Sequence, residues 1–272
     1  MTCLHPVRLP TGFVPCGKCV ECLKRRQREW FIRLEQECLV ASSAFFVTLT
    51  YGDEFLFFDS GIAVVSRRDC QLFFKRLRKT LAPDKIRYFL CSEYGPTTLR
   101  PHYHIILFNF PVEKFDVYET ILSSWRKGFV KVDPINSARL NYVAKYVVCG
   151  YVLPEFLDTK SRRPFSLQSR HPGIGASYLS DRNVERHRRL LSPTIPVQGH
   201  PEWLPRYYRD RIFNEDQKSS LRELSSAKSR DRLLKFVEDN FNDNPLDLEQ
   251  YTRIERELEY RTKLRIKSGR KL

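Results

Sequence analysis

A chain of 272 residues is long enough to bury a real core, either as one large domain or as one domain with appendages. Its 42% hydrophobic and 13% aromatic content excludes an intrinsically disordered chain, and 47 Lys+Arg against 32 Asp+Glu, a net charge of +15, bias its partners toward polyanions. No stretch approaches the roughly 18 apolar residues of a spanning helix, and the start MTCLHPVRLP lacks the apolar run of a secretory signal. A cytoplasmic protein is therefore expected, with its eight cysteines as thiols or metal ligands and not as disulfides.

Residues 1–22 are rich in Cys, Pro and Gly and too short to carry a core, so they need a tether. Cys16, Cys19 and Cys22 form a C-x₂-C-x₂-C run with Cys3 upstream, and Gly17 permits a tight knuckle between them. Thiolates at this spacing suit a tetrahedral structural zinc site, with Cys3 or His5 as fourth ligand. An iron–sulfur cluster and uncoordinated thiols are the alternatives. Cys38, Cys70, Cys91 and Cys149 read as small buried hydrophobes.

The apolar spacing predicts a helix over 20–40, and FFVTLTY (45–51) predicts a strand. Ser66 is a plausible N-cap for a helix running to about Leu81 and stopping before Pro83. IRYFLCSEY (86–94) and HYHIILFNF (102–110) read as an antiparallel pair around the turn-rich GPTTLRP. A helix over 113–126, a strand over 128–135 and a helix over 137–149 follow. This order predicts an α+β fold, one antiparallel sheet with flanking helices. Residues 151–205 read as loop-rich, with seven prolines, and 206–272 as helical and charged at both signs. The expected organisation is a Cys-rich segment (1–22), a catalytic domain (23–180) and a helical C-terminal region (181–272) without an assigned role.

Two constellations carry chemistry. His102 and His104 lie two apart on a predicted strand, so both imidazoles leave one face, and Glu93 on the preceding strand can reach the same divalent ion if the strands pair. Three ligands leave positions open for substrate oxygens. In NYVAKYVV, Tyr142 and Tyr146 are four apart on a predicted helix, with Lys145 close to their face. A tyrosine hydroxyl is a covalent nucleophile where a neighbouring ammonium favours phenolate. Either group taken alone has a bland structural reading, as a strand histidine pair or as helix packing.

Their order changes this. TLTY (48–51), RPHYH (100–104) and YVAKY (142–146) resemble the three ordered motifs of HUH endonucleases. CGKCVEC followed by RRQREW, SEYG before RPHYHIILF, YVAKYV, and RHPGIGASYL (170–179) resemble the replication-initiation proteins of microviruses, the gokushovirus type in particular. The resemblance spans roughly residues 3–180. It implies a nickase that cuts and rejoins single-stranded DNA at a replication origin through a 5′-phosphotyrosine, with Mg²⁺ or Mn²⁺ on His102, His104 and Glu93. Tyr142 with Lys145 fits the single-tyrosine pattern and Tyr142 with Tyr146 the two-tyrosine pattern, so the first nucleophile stays open. The freed 3′-hydroxyl would prime a host polymerase, and without a Walker motif the helicase would also be the host's. Candidate contacts to the DNA backbone are Arg100, Lys131, Arg139, Arg162, Arg163 and Arg170, alongside Lys145. Two other readings remain compatible: a non-catalytic basic single-strand binding or packaging protein with a zinc knuckle, and a metal-dependent nuclease in which water attacks.

Overall fold

The computed structural model describes residues 3, 5–10, 12–95, 98–149 and 155–224, with side chains described for all of these except 12, 13 and 147–149. In chain order its elements are β1 (Val7–Leu9), β2 (Gly12–Val14), α1 (Val20–Cys38), β3 (Ala44–Tyr51), β4 (Phe58–Asp59), β5 (Ile62–Ala63), α2 (Arg67–Leu81), β6 (Arg87–Tyr94), β7 (Pro101–Phe108), α3 (Val117–Trp125), β8 (Gly128–Pro134), α4 (Ser137–Cys149), β9 (Ser166–Gln168), α5 (Asp181–Leu190), β10 (Thr194–Val197), β11 (His200–Trp203) and α6 (Arg206–Ile212). Contacts divide the chain into two compact units, Trp30–Ser177 and the combination of Met1–Glu29 with Tyr178–Leu272.

Trp30–Ser177 is built on a five-stranded sheet in the order β8-β3-β7-β6-β9, antiparallel throughout. The α+β architecture expected from the element order is the one observed. Strand parity sorts the residues: Val47, Leu49, Tyr51, Leu90, Tyr103, Ile105 and Leu107 are buried in one cluster with Phe73, Phe74, Leu77 and Leu81 of α2 and Ile121 and Trp125 of α3. Their alternate neighbours form the other face, where α4 contacts β6 and β7. At the β3–β8 end the backbones approach so closely that a Cβ on Gly128 (φ +133°) would lie 2.2 Å from the Gly52 nitrogen, so only glycine fits there.

Ser66 caps α2, its hydroxyl accepting from the Asp69 amide at 3.1 Å. Helix α3 starts later than its apolar spacing suggests. Pro111 anchors a turn whose carbonyl accepts from Lys114 and Phe115, and Asp116 then caps the helix through the Glu119 amide at 2.7 Å. The β4–β5 hairpin was not expected. Its turn residues, Ser60 and Gly61, both have positive φ (47° and 78°), the conformation a tight hairpin requires.

The stretch read as loop-rich holds β9, α5 and the β10–β11 ribbon. Prolines do not exclude the ribbon, because Pro196 and Pro201 face each other across it. The Leu204 amide bonds the Pro193 carbonyl at 2.8 Å, which by alternation makes 196/201 a non-hydrogen-bonded pair whose nitrogens point outward. In this unit Tyr178, His187, Ile195, Val197, Tyr208, Ile212 and Phe213 are buried. Arg28 pairs with Glu202 at 2.8 Å and Arg209 with Glu29 at 3.7 Å. Beyond α6 the chain is helical from 215 to 224, and the charged segments 226–240 and 253–267 lie outside the described residues.

Candidate active site

Register assembles the site. Glu93 on β6 stands opposite His102 on β7, which stands opposite Thr50 on β3; one step along, His104 stands opposite Thr48. Directly paired residues share a face, so all five project to the side on which α4 packs. Asn136 starts α4 by accepting from the Arg139 amide at 2.9 Å, and the four-residue spacing then sets Tyr142 above Tyr146.

The side chains converge on Glu93. Its Oε2 accepts from His104 Nε2 at 2.8 Å and from the Tyr142 hydroxyl at 3.1 Å, while Oε1 accepts from the Tyr146 hydroxyl. The two phenols are themselves in contact, Tyr146 donating to Tyr142 at 3.0 Å. His104 stacks on Phe46 (centroids 5.5 Å apart, planes 13° off parallel) and meets the Tyr142 ring edge-on at 5.1 Å. Tyr103, between the two histidines, points to the opposite face, as strand parity demands, and bonds the Tyr51 hydroxyl at 2.9 Å.

Two residues of the site were missed in the sequence. Thr48 Oγ1 lies 3.2 Å from His104 Nδ1, and Thr50 Oγ1 lies 3.0 Å from His102 Nδ1. A hydroxyl donates or accepts, so it serves either tautomer while leaving each Nε2 turned away from β3. The signal was present as the T-x-T of TLTY, with the same two-residue period as H-x-H. Gly95 crowds His102 from the other side: a Cβ there would sit 3.1 Å from His102 Nε2.

The electrostatics differ from the sequence expectation for the tyrosines. Burial pushes the Tyr142 phenol up to about 12, with the Glu93 charge adding to the rise and the hydrogen bond from Tyr146 opposing it. Burial and the same carboxylate hold Tyr146 higher still. Lys145 is half-buried on the same helix. Burial alone would raise the Glu93 carboxyl, but hydrogen bonds from His104, Tyr146 and Tyr142 outweigh it and hold the group below the usual glutamate range. His102 is held below the ordinary imidazole value by burial, with His104 contributing.

The candidate DNA contacts divide. Lys131 and Arg139 lie beside the site and share Asp133, at 3.4 and 3.2 Å, and Arg139 also covers Phe46 at 5.8 Å. Arg100 is bound to the Tyr51 carbonyl at 2.7 Å and to Asp53. Arg162 is anchored on Asp59 at 3.0 Å and on the Phe156 carbonyl at 2.8 Å, Arg163 on Asp158, and Arg170 is exposed. The backbone of HPGIG, considered for its ability to approach a phosphate, is held from within. Arg87 donates to the Pro172 and Gly173 carbonyls, both at 3.0 Å, and the Gly175 amide donates to Glu37 at 2.7 Å.

In the other unit the sulfur atoms of Cys3, Cys16, Cys19 and Cys22 all lie within 4.8 Å of one another; among the described residues this is the one such group of metal-binding atoms. The fourth member is Cys3 and not His5. Gly17 (φ +73°) makes the knuckle, and the Cys19 amide donates to Cys16 Sγ at 3.2 Å. The Cys16 thiol is lowered to about 6: burial opposes the shift, but the Lys18 and Cys19 amides and the neighbouring sulfurs outweigh it. Burial, with further rises from Cys19 and Cys3, pushes Cys22 up to about 12. Cys38 is half-buried, Cys70 and Cys91 are buried, and the Cys149 side chain lies outside the described residues.

Residues 44–150, from β3 through α4, match the family profile for replication-associated proteins of the ORF2 type. The chain is 33% identical over 234 residues to the replication-associated protein ORF2 of Spiroplasma virus 4, covering 75% of this chain and 69% of that protein. It belongs to the gokushovirus-type replication-associated proteins. The replication-associated protein ORF4 of Chlamydia phage 1 is 25% identical over 78% of this chain and 57% of its own length. For the replication-associated protein VP4 of Bdellovibrio phage phiMH2K the values are 28%, 72% and 66%. No solved structure matches. The family match spans the whole Glu93–His104–Tyr142–Tyr146 constellation. Among the described residues no helix is long and apolar enough to cross a membrane.

Proposed function

We propose that this replication-associated protein is a single-stranded DNA nickase and ligase that initiates and terminates rolling-circle replication through a tyrosine. The observation that carries the reading is the convergence of two phenols and an imidazole on one carboxylate, Glu93, at 3.1 Å or closer. The hydroxyl of Tyr142, the more exposed of the pair at 39%, attacks the scissile phosphorus. A phosphorus–phenol oxygen bond forms, the bond to O3′ breaks, and O3′ leaves with the electron pair. The phenolic proton passes to Glu93. The products are a 5′-phosphotyrosine and a free 3′-hydroxyl, and the reverse reaction reseals the strand without a nucleotide cofactor. Tyr146, within 3.0 Å of Tyr142, is the second nucleophile for closing the circle.

Two imidazoles held at Nδ1 by threonine hydroxyls, with a carboxylate beside them, make a donor set that suits Mg²⁺ or Mn²⁺. His102, His104 and Glu93 would hold the ion, which supplies electrostatic stabilisation of the charge developing on the phosphate. In the other unit, Cys3, Cys16, Cys19 and Cys22 would hold a structural zinc. The Cys3–Cys19 sulfur separation of 3.8 Å equals the edge of a tetrahedron with zinc–sulfur bonds of about 2.3 Å. The substrate is single-stranded DNA at an origin, with host polymerase and helicase acting on the product.

Incubation with labelled single-stranded DNA carrying the phage origin, in Mn²⁺, tests this reading on a denaturing gel. A covalent adduct is expected from the wild type, at least about 100-fold less from Tyr142→Phe, and none from the double phenylalanine variant. Cleavage that survives in the double variant points to attack by water, and binding without any cleavage points to a packaging role.

A further inference from the structure

We propose that Phe129 is a base-stacking platform that seats the single strand beside the cleavage site, an assignment that rests on the nickase reading above. Phe129 lies on β8, the edge strand of the sheet, and is 70% exposed. Its strand alternates strictly: Val130 and Val132 pack against the core, while Phe129 and Lys131 stand out on the opposite face. That face is the one that carries the site. Phe129 pairs with Thr50, Thr50 with His102 and His102 with Glu93, so the four residues form one row across four strands. Lys131 belongs to the adjacent row, with Thr48 and His104.

Adjacent strands lie about 4.8 Å apart, which puts Phe129 about 10 Å from His102 along the row, roughly one or two nucleotides of extended strand. A bare aromatic ring next to a cation is the pairing that binds single strands without reading sequence, since every base offers a π-face and every nucleotide a phosphate. Here the cation is Lys131, 72% exposed, with Arg139 behind it. A single exposed Phe in an otherwise polar row, on an open edge, has no packing role among the described residues: every neighbour in its row, Thr50, His102 and Glu93, is polar. A phosphate held at His102 and Glu93 would set its neighbouring base over this ring.

The experiment compares two probes, a short oligothymidylate and an abasic deoxyribose-phosphate chain of equal length and charge. The full chain is used with both tyrosines replaced by phenylalanine and without divalent ion, so that only binding is read. Phe129→Ala is expected to weaken oligothymidylate binding about tenfold or more and to leave abasic binding unchanged. Phe129→Trp is expected to keep the affinity, with its indole fluorescence quenched by the bases. Equal losses on both probes, no loss on either, or no wild-type binding of oligothymidylate overturns the proposal. So does a wild-type dimer that Phe129→Ala dissociates in sedimentation, which would make this edge a contact between two copies. Failure of the nickase reading shows separately, as absence of the covalent adduct from the protein with its tyrosines intact.

Discussion

At the scale of single residues, Thr48 and Thr50 decide where the imidazoles point. Each hydroxyl holds one Nδ1 and so fixes its ring, and losing such a partner typically costs a metal ligand about 10- to 100-fold in metal affinity. Thr48→Val and Thr50→Val are nearly isosteric and half-buried, so the fold should survive. The Mn²⁺ concentration that half-saturates adduct formation is expected to rise by about 10- to 100-fold, while metal-free binding of DNA stays unchanged. The sequence shows His102, His104 and Glu93 because strand parity and spacing are local properties. It does not show the threonines as their partners, because which residue of β3 faces which residue of β7 is a matter of register across a gap of roughly 50 residues. The tyrosines are a similar case: four-residue spacing announces a shared face, but the carboxylate opposite them comes from another element, and it reverses the shift expected from Lys145.

At the scale of elements, a buried ion pair stitches α1 to β6 and to the turn after β9. Glu37 is 4% exposed and binds Arg87, whose guanidinium also holds the Pro172 and Gly173 carbonyls, while the Gly175 amide returns to Glu37. Removing one member leaves a buried charge without its partner, which costs about 3–5 kcal/mol. Glu37→Ala is accordingly expected to lower the urea midpoint by that equivalent, and Glu37→Gln, which keeps one acceptor, by less. The HPGIG glycines are thus occupied in structure, although the sequence invites a phosphate-binding interpretation. Element order and type from 20 to 149 are legible because period-2 and period-3.6 patterns are strong there. What fails is local and has local causes: the Asp116 cap that delays α3, the positive-φ Ser60–Gly61 turn, and prolines placed where an edge strand tolerates them.

At the scale of the whole molecule, two kinds of acid and metal sensitivity follow. His187 is fully buried between the Tyr178 hydroxyl and the Ser192 carbonyl, each at 2.7 Å, and burial holds it below its ordinary value of 6.5, with the Ser192 carbonyl opposing and the Arg186 charge adding to the fall. The unfolded chain therefore takes up the proton first as pH drops. Stability present above pH 6.5 is lost as pH falls toward the lower folded value, and a urea titration at stepwise lower pH should show it, with the loss absent in His187→Gln. Zinc content measured by atomic absorption is expected to be one ion per chain and to vanish in Cys19→Ser, with proteolysis then opening residues 1–19 before the sheet. Both sensitivities belong to the unit formed from the two ends of the chain. Its cysteine spacing is legible locally, but its pairing of residues 1–29 with those after 178 is not, since no short-range pattern records a contact across so long a gap.

The trio of Tyr142, Tyr146 and Glu93 also sets a rule of turns. Two phenols 3.0 Å apart share one acceptor, so ionising both would crowd three negative charges into a space where like charges repel by several kcal/mol at an effective dielectric of about 20. One phenolate thus keeps its neighbour protonated until its own charge is spent in a bond to phosphorus. The pair works as an escapement that releases one stroke at a time, and the order of cutting and closing is written into the proton count of a single carboxylate.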